Sequence, residues 1–426
     1  MNYTIFLAML GIEESNFENR ITEPIKVENG YMLEVYEHSK ERECPKCKIS
    51  KSYIQAHYYS KINYSLSNYV CLTLRIRRVR FKCLSCNTTF TKELKGISRY
   101  ATTSESVKRQ ISNDFFEKLS FTQIAKKYNV SVTYIINLFD ELVKRVPRGS
   151  LGTILCIDEF HFSKEMDQKY CCVLVDYETK LPIDIVKNRQ MSYLKEYFSL
   201  IPLNERNKVK IFISDMYDAY ETIRRIYFPH AIHIVDLFHV TNQLTTTINR
   251  IRTNVMNNIA GKGSKEYNFM KGHWKHFICR KSKVPDKIYK HSKTGKEYTY
   301  FEMIQHSLHL SNIFWDSYNI LQEFYGYSRY ETFEDASNFI DRMVNKLENT
   351  KSDLLLATAK TYRKWKTEIA NCFSHKETGK YFTNAITENM NTHIKGIIKL
   401  GYGYTNYKRF RNRCLLILRT AKQLSK

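Results

Sequence analysis

The stretch LGTILCIDEF, residues 151–160, decides the fold class of this chain. It has the length, apolar character and β-branched content of a buried strand, and Asp158 lies near its end. Two more strand patterns follow, KYCCVLVDYE at 169–178 and LPIDIVKN at 181–188. Because a short polar turn separates them, we expect these two strands to pair antiparallel.

Strand and helix patterns then alternate. MSYLKEYFSLIP (191–202) predicts an amphipathic helix, and KVKIFISD (208–215) predicts a buried strand that ends at Asp215. A helix at 216–228 and a strand within AIHIVDLFHV (231–240) come next. Three strands followed by helix, strand, helix and strand is an order that predicts an α/β, RNase H-like fold.

Asp158 and Asp215 end strands that can lie side by side, so their carboxylates are expected at one edge of the sheet. Two adjacent carboxylates repel each other unless a divalent cation lies between them. Phosphodiester cleavage uses such a site, with two Mg²⁺ (or Mn²⁺) ions. A third acid would complete it. Glu388, on a predicted helix, is the first choice, and Glu377 and Asp236 are the alternatives.

Other polar residues are expected near the same edge. Asp236 and His239 end the next strand, where His239 orients a phosphate, steadies an acid or is a structural histidine. Asn391 and Lys395 follow Glu388 on one helix face.

The eleven cysteines are odd in number and unevenly placed. Cys44 and Cys47 form one C-x₂-C pair, and Cys83 and Cys86 form another, a pattern typical of one structural Zn²⁺ ion. Four unrelated thiols, redox use of one pair, and replacement of one ligand by Cys71 or His57 are the alternatives.

DNA-binding elements are expected around the zinc ligands. Residues 104–145 predict three helices, at about Ser104–Leu119, Thr122–Tyr128 and Ser131–Leu142. Within them, FTQIAKKYNVSVTYIINLF (121–139) has a helix-turn-helix pattern, although any three-helix bundle shares much of it. Solvated surface charge is the alternative for the basic positions. The predicted DNA contacts are Arg75, Arg77, Arg78, Arg80, Thr133, Tyr134, Asn137, Lys399, Lys408, Arg409, Arg411 and Arg413.

The overall charge supports a polyanionic partner. There are 67 Lys and Arg against 43 Asp and Glu, a net charge of +24, and nucleic acid is the first candidate. A generally basic proteome is the alternative. No apolar run is long enough to span a bilayer, and the N-terminus is a poor secretory signal, so we expect a cytoplasmic, nucleoid-associated protein with no membrane partner.

These patterns divide the chain into six segments. They are a lead-in at 1–39, a zinc-binding module at 40–98, a helix-turn-helix domain at 99–147, the first part of the catalytic core at 151–240, a helical insertion at 241–380, and closing helices at 381–426.

In this order, the motifs resemble the DDE-type transposases of bacterial insertion sequences, specifically the ISL3 group. The resemblance covers residues 40–420 and rests on the paired cysteines, the helix-turn-helix pattern and four further motifs. Those motifs are CIDEF (156–160), FISDMYDAY (212–220), IVDLFHV (234–240) and TNAITENMNTHIKGIIKLGYGYTNYKRFRNRCLL (383–416). The resemblance implies that Asp158, Asp215 and Glu388 are the catalytic, metal-binding triad. Asn389 departs from the family, where a small residue usually follows the glutamate.

The resemblance also implies a function. We expect a transposase that binds the terminal inverted repeats of its own element, cleaves DNA strands there and joins them to target DNA. Two ends must be brought together, so a homodimer or larger assembly on DNA is expected. The alternatives are a DNA-binding regulator with an inactive core and a structure-specific nuclease.

Overall fold

A computed structural model describes residues 13, 15, 17–18, 20, 22–28, 30–40, 43–67, 70–94, 102–162, 169–326, 332–377 and 380–423. The chain forms two compact units. Unit 1 contains Met1–Pro147 and Ile394–Lys426, and unit 2 contains Arg148–His393. The lead-in predicted at 1–39 lies partly outside the described residues.

Unit 1 begins with a five-stranded sheet. Its strands are β1 (Ile25–Val27), β2 (Gly30–Tyr36), β3 (Ser52–Ser67), β4 (Val70–Cys83) and β5 (Thr89–Thr91). The order is β1-β2-β4-β3, and β5 also pairs with β4. Leu72, Leu74 and Ile76 are buried at alternate positions of β4, as expected for a strand with one face in the core. Strands β1 and β2 come from the lead-in, for which no strands were predicted.

Three helices follow in unit 1: α1 (Glu105–Asp114), α2 (Phe121–Tyr128) and α3 (Val132–Leu142). Ser104, Ser120 and Ser131 cap their N-termini. Asn129 takes the left-handed conformation in the turn between α2 and α3. The last two helices match their predicted bounds within one residue.

The first helix was predicted to continue to Leu119, and this bound is wrong. Helix α1 stops at Asp114, and the carbonyls of Asp114, Phe115, Glu117 and Leu119 accept hydrogen bonds from the guanidinium of Arg413 instead of continuing the helical ladder. Arg413 belongs to the C-terminal helix, so sequence-local signals did not reveal this ending.

Unit 2 contains a second five-stranded sheet. Its strands are β6 (Ile154–His161), β7 (Tyr170–Asp176), β8 (Pro182–Val186), β9 (Ile211–Ser214) and β10 (Ile232–Val235), in the order β8-β7-β6-β9-β10. The pairs β6–β7 and β7–β8 are antiparallel, and β6–β9 and β9–β10 are parallel. The predicted strand succession and the antiparallel pair are confirmed.

Helices connect and extend this sheet. They are α4 (Met191–Ser199), α5 (Leu203–Arg206), α6 (Asp218–Tyr227), α7 (Leu237–Asn258), α8 (Lys265–Gly272), α9 (Tyr300–Leu308), α10 (Asn312–Gly326), α11 (Phe333–Asn349), α12 (Asp353–Lys364) and α13 (Lys366–Ser374). Short hairpins pair β11 (Ile288–Lys290) with β12 (Glu297–Thr299), and β13 (Lys376–Glu377) with β14 (Lys380–Tyr381). From α7 to α13 the helices share one apolar core.

Two long helices end the chain, α14 (Ala385–Leu400) and α15 (Tyr407–Gln423). Helix α15 lies in unit 1, where Leu416 packs against the core of α1–α3. Asn412 accepts a hydrogen bond from the backbone N–H of Val146. The sequence division had assigned 381–426 to the closing helices of the catalytic core.

Candidate active site

Strand register brings three carboxylates to one edge of the unit 2 sheet. Cys156 of β6 pairs with Ile213 of β9, so Asp158 and Asp215, each two residues further on, come level. Ser214 of β9 pairs with Val235 of β10, so Asp215 and Asp236 also come level. The three acids therefore form a row across three adjacent parallel strands: Asp215 and Asp236 directly follow β9 and β10, whereas Asp158 lies inside β6, which continues to His161.

Asp158 lies in a desolvated position in this row. It is 6% exposed, and burial followed by the negative charge of Asp215 raises the pKa of Asp158 to about 7. Asn391 of α14 donates a hydrogen bond of 2.7 Å from Nδ2 to Asp158 Oδ2 and one of 3.2 Å to the carbonyl of Glu159. These bonds hold α14 against the end of β6.

His239 lies between the other two acids. Its Nδ1 atom is 2.9 Å from Asp215 Oδ1 and 3.3 Å from Asp236 Oδ2. Burial alone would lower its pKa, but the hydrogen bonds and charges of Asp215 and Asp236 raise the pKa of His239 to about 10. The ring therefore carries a positive charge between two carboxylates at neutral pH, which favours the steadying role over a purely structural one.

A cavity of about 320 Å³ opens beside this row. Its wall combines the acids with aromatic and polar side chains from α6, α7 and α12. The lining residues are Glu159, Asp215, Met216, Tyr217, Tyr220, His239, Gln243 and Thr361.

Two oxygens near the row fit a cation. Asp215 Oδ1 is buried and, within the described part of the chain, has only the contact with His239 Nδ1, which it shares with Asp236, while Asn391 Oδ1 is buried and accepts no hydrogen bond there. A single His239 N–H cannot point at both Asp215 and Asp236, which explains the first of these atoms. Buried acceptors are normally satisfied, and Mg²⁺ prefers oxygen ligands, so the donor set suits a divalent ion.

Glu388 lies on α14 one turn before Asn391, hence on the helix face that meets Asp158. Its side chain is exposed, and it takes no part in the hydrogen bonds that join the other acids. Lys395 is exposed further along α14. The alternative third acid Asp236 is inside the row, while Glu377 lies in the short strand β13.

The predicted zinc ligands come together in unit 1. Cys44 Sγ lies 3.6 Å from Cys86 Sγ, and Cys47 Sγ lies 3.5 Å from Cys83 Sγ. One atom from each of the four lies within 4.8 Å of the others, which is compatible with one tetrahedral metal ion. Contacts with the hydroxyl and backbone of Thr88 lower the pKa of Cys86 to about 6 and so favour the thiolate.

The predicted DNA contacts on α3 and on strand β4 lie at or near the surface. Thr133 and Asn137 are exposed on α3, and Tyr134 is half-buried. Arg75 pairs with Glu34 and stacks on Tyr59, and Arg80 is exposed beside Tyr58. Arg77 is partly exposed near Tyr36. Arg78 donates hydrogen bonds to the buried Glu37 and to the carbonyl of Lys92.

The basic residues of the C-terminal region separate into two groups. Lys399 and Lys408 are exposed, and Arg409 forms a two-bond ion pair with Asp140. Arg411 and Arg413 are 9% and 1% exposed. Their guanidinium groups donate to backbone carbonyls of Val146 and of the α1–α2 turn, so the expectation that they contact DNA phosphates is wrong.

Sequence reasoning missed two features of unit 2. One is a chain of contacts in which His233 Nε2 lies 2.8 Å from Ser214 Oγ and His233 Nδ1 lies 2.7 Å from Glu221 Oε2. The other is Arg189, which pairs with Glu159 at the cavity wall. Both sets join side chains from separate elements, and no local motif marks either.

The model of the ISL3 transposase family, described as Transposase, matches residues 155–414. The chain belongs to this transposase family. The match covers the strands and helices that carry the acid row and extends into the C-terminal helix. No curated protein matches the chain. As a member of this family, the transposase is a DNA-processing enzyme, and no described helix is long and apolar enough to cross a membrane.

Proposed function

We propose that this transposase binds the terminal inverted repeats of its own insertion sequence, cleaves DNA strands there and transfers them to target DNA. The observation that carries the proposal is the row of Asp158, Asp215 and Asp236 across three parallel strands, next to the helix of Glu388. The strand order of unit 2 supports an RNase H-like core, and α1–α3 support a helix-turn-helix domain.

Asp158, Asp215 and Glu388 would hold the divalent ions, Mg²⁺ or Mn²⁺. When bound, two such ions activate a water or 3′-hydroxyl for attack and stabilise the leaving oxygen of the phosphodiester. The protein's own groups position these ligands. Asn391 fixes one oxygen of Asp158, and His239 fixes the orientation of Asp215 and Asp236.

End recognition is assigned to unit 1. Thr133, Tyr134 and Asn137 are proposed to face the major groove, and the exposed or partly exposed Arg75, Arg77 and Arg80 are proposed to contact phosphates. A structural Zn²⁺ ion bound by the four cysteines would fix the end of the sheet that carries these arginines. Lys399 and Lys408 are proposed to contact phosphates of the flanking DNA.

The test uses the DNA that flanks the gene, incubated with the full chain and Mg²⁺. Joined products support a transposase, cuts without joining indicate a nuclease, and binding alone indicates a regulator. Asp158→Asn should abolish cutting while end binding remains. Asp341→Asn, which changes a partly exposed acid of α11 that pairs with Lys366, is the matched control and should cut at the normal rate.

The same assay decides the third acid. Glu388→Gln should stop cutting as completely as Asp158→Asn if Glu388 completes the metal site. If Glu388→Gln cuts normally while Asp236→Asn does not, Asp236 takes that place.

A further inference from the structure

Arg189 contacts two aromatic rings and pairs with Glu159, a residue of the cavity wall. It follows β8 and precedes α4, and its guanidinium carbon is 4.4 Å from the ring centre of Tyr170 and 5.6 Å from that of Tyr217. Cation–π contacts on two sides restrict the orientation of the guanidinium plane. The group is therefore held in place before any ligand arrives.

The ion pair of Arg189 leaves much of its hydrogen-bonding capacity available. Nη1 donates to Glu159 Oε1, and this is the one hydrogen bond of the guanidinium within the described ranges. A guanidinium has five N–H donors, so Nε and Nη2 remain for a ligand. The side chain is 37% exposed, which gives solvent and ligands access to it.

The neighbouring acids explain why a cation is needed at this place. Glu159 is the residue after Asp158 and lines the cavity with Asp215 and Tyr217. DNA carries a negative charge at every phosphate, and an acid row repels it. A planar cation beside the row would offset that repulsion and offer a two-bond contact to a phosphate.

We propose that Arg189 binds a phosphate of the DNA strand next to the cleaved bond, with Tyr170 and Tyr217 fixing its orientation and Glu159 holding it until DNA arrives. This inference rests on the proposed function, because it names the part of the DNA that this site contacts. Arg189 acts here as a substrate-positioning residue and takes no part in proton transfer.

The experiment removes the contact between Arg189 and the phosphate in two ways, by changing the protein and by changing the DNA. Arg189→Gln removes the charge, and Arg189→Lys keeps the charge but loses the planar donor pair and the stacking. Each protein is assayed for binding and cutting of end DNA in which one phosphate at a time, near the cleaved bond, is replaced by an uncharged methylphosphonate. Arg225→Gln, on the exposed face of α6, is the matched control.

We expect wild type to lose roughly tenfold in affinity or cutting rate at one methylphosphonate position, and Arg189→Gln to lose as much on unmodified DNA. At that one position Arg189→Gln should add no further loss, while Arg189→Lys should give an intermediate result. Arg225→Gln should behave as wild type at every position.

Equal losses for Arg189→Gln and wild type at all methylphosphonate positions would overturn the inference, as would normal binding and cutting by Arg189→Gln. These outcomes differ from failure of the proposed function, in which wild type itself neither cuts nor joins end DNA. Binding is measured separately from cutting, so the phosphate contact is tested in that case as well.

Discussion

Arg413 shows how a single residue can have a role that its sequence context hides. It lies in a basic helix, yet its guanidinium is buried and donates to the carbonyls of Asp114, Phe115, Glu117 and Leu119. In sequence it resembles the exposed lysines nearby. Only the position of α15 beside α1–α3, which depends on contacts about 300 residues apart, assigns it to the protein interior.

We expect Arg413→Met to destabilise the α1–α3 bundle by about 3 kcal/mol, because several buried carbonyls would lose their donors. All three tryptophans, Trp274, Trp315 and Trp365, lie in unit 2, so fluorescence would not report this change. Hydrogen exchange of the α1–α3 amides would. Arg409→Met removes the partly exposed ion pair with Asp140 and should lower the free energy of unfolding by less than about 1 kcal/mol. An equal loss of amide protection in the two variants would contradict the role of Arg413.

Glu221 provides a prediction about pH. Burial would raise its pKa, but hydrogen bonds from His233 and Arg224 and their charges lower the pKa of Glu221 from 4.5 to about 2. A carboxyl with a depressed folded-state pKa stabilises the fold above its unfolded pKa, and this contribution is lost as pH falls towards 2.

Accordingly, the free energy of unfolding of unit 2, followed by tryptophan fluorescence, should fall more steeply between about pH 4.5 and 2 in wild type than in Glu221→Gln. The difference should be on the order of 1 kcal/mol, since solvent screens part of the interaction. Parallel pH profiles for the two proteins would show that this pair does not contribute to stability.

At the scale of elements, continuous apolar strands and helical periodicity were readable from the sequence because both patterns directly reflect burial. The order of β6–β10 and the positions of α2 and α3 were predicted for this reason. Strands β1 and β2 were not, because β2 is stabilised by pairing with β4, more than 30 residues away along the chain. Long-range pairing leaves little local signal.

The four predicted zinc ligands lie at one end of the unit 1 sheet, beside the end of β4. They join the turn after Glu43 to the turn that follows β4, so bound zinc should stabilise that end of the sheet. We expect atomic absorption to find one zinc ion per chain. Cys86→Ser should lose this ion and should bind the DNA ends of the element less tightly. Cys279→Ser, in unit 2, should retain the metal. Full zinc content in Cys86→Ser would rule out this set of ligands.

At the scale of the whole molecule, the sequence predicted that Asp158 and Asp215 come level because both belong to recognisable strand patterns, although β6 continues past Asp158 to His161. It did not predict the contact between Asn391 and Asp158, which links residues 233 positions apart. Nor did it reveal the tyrosine-flanked Arg189. Local patterns thus found the acids and placed Asn391 and His239 near them, whereas the hydrogen bond from Asn391 to Asp158 and the position of Arg189 depend on how separate segments pack.

We propose that the carboxylates of Asp158, Asp215 and Glu388 bind the divalent ions that act on DNA. The most direct measurement is cutting of end DNA whose leaving oxygen is replaced by sulfur, compared in Mg²⁺ and in Mn²⁺. Because Mn²⁺ accepts sulfur better than Mg²⁺ does, the account predicts little cutting in Mg²⁺, recovery in Mn²⁺, and none with Asp158→Asn in either metal. Equal cutting in both metals, or cutting by Asp158→Asn at the wild-type rate, would contradict it.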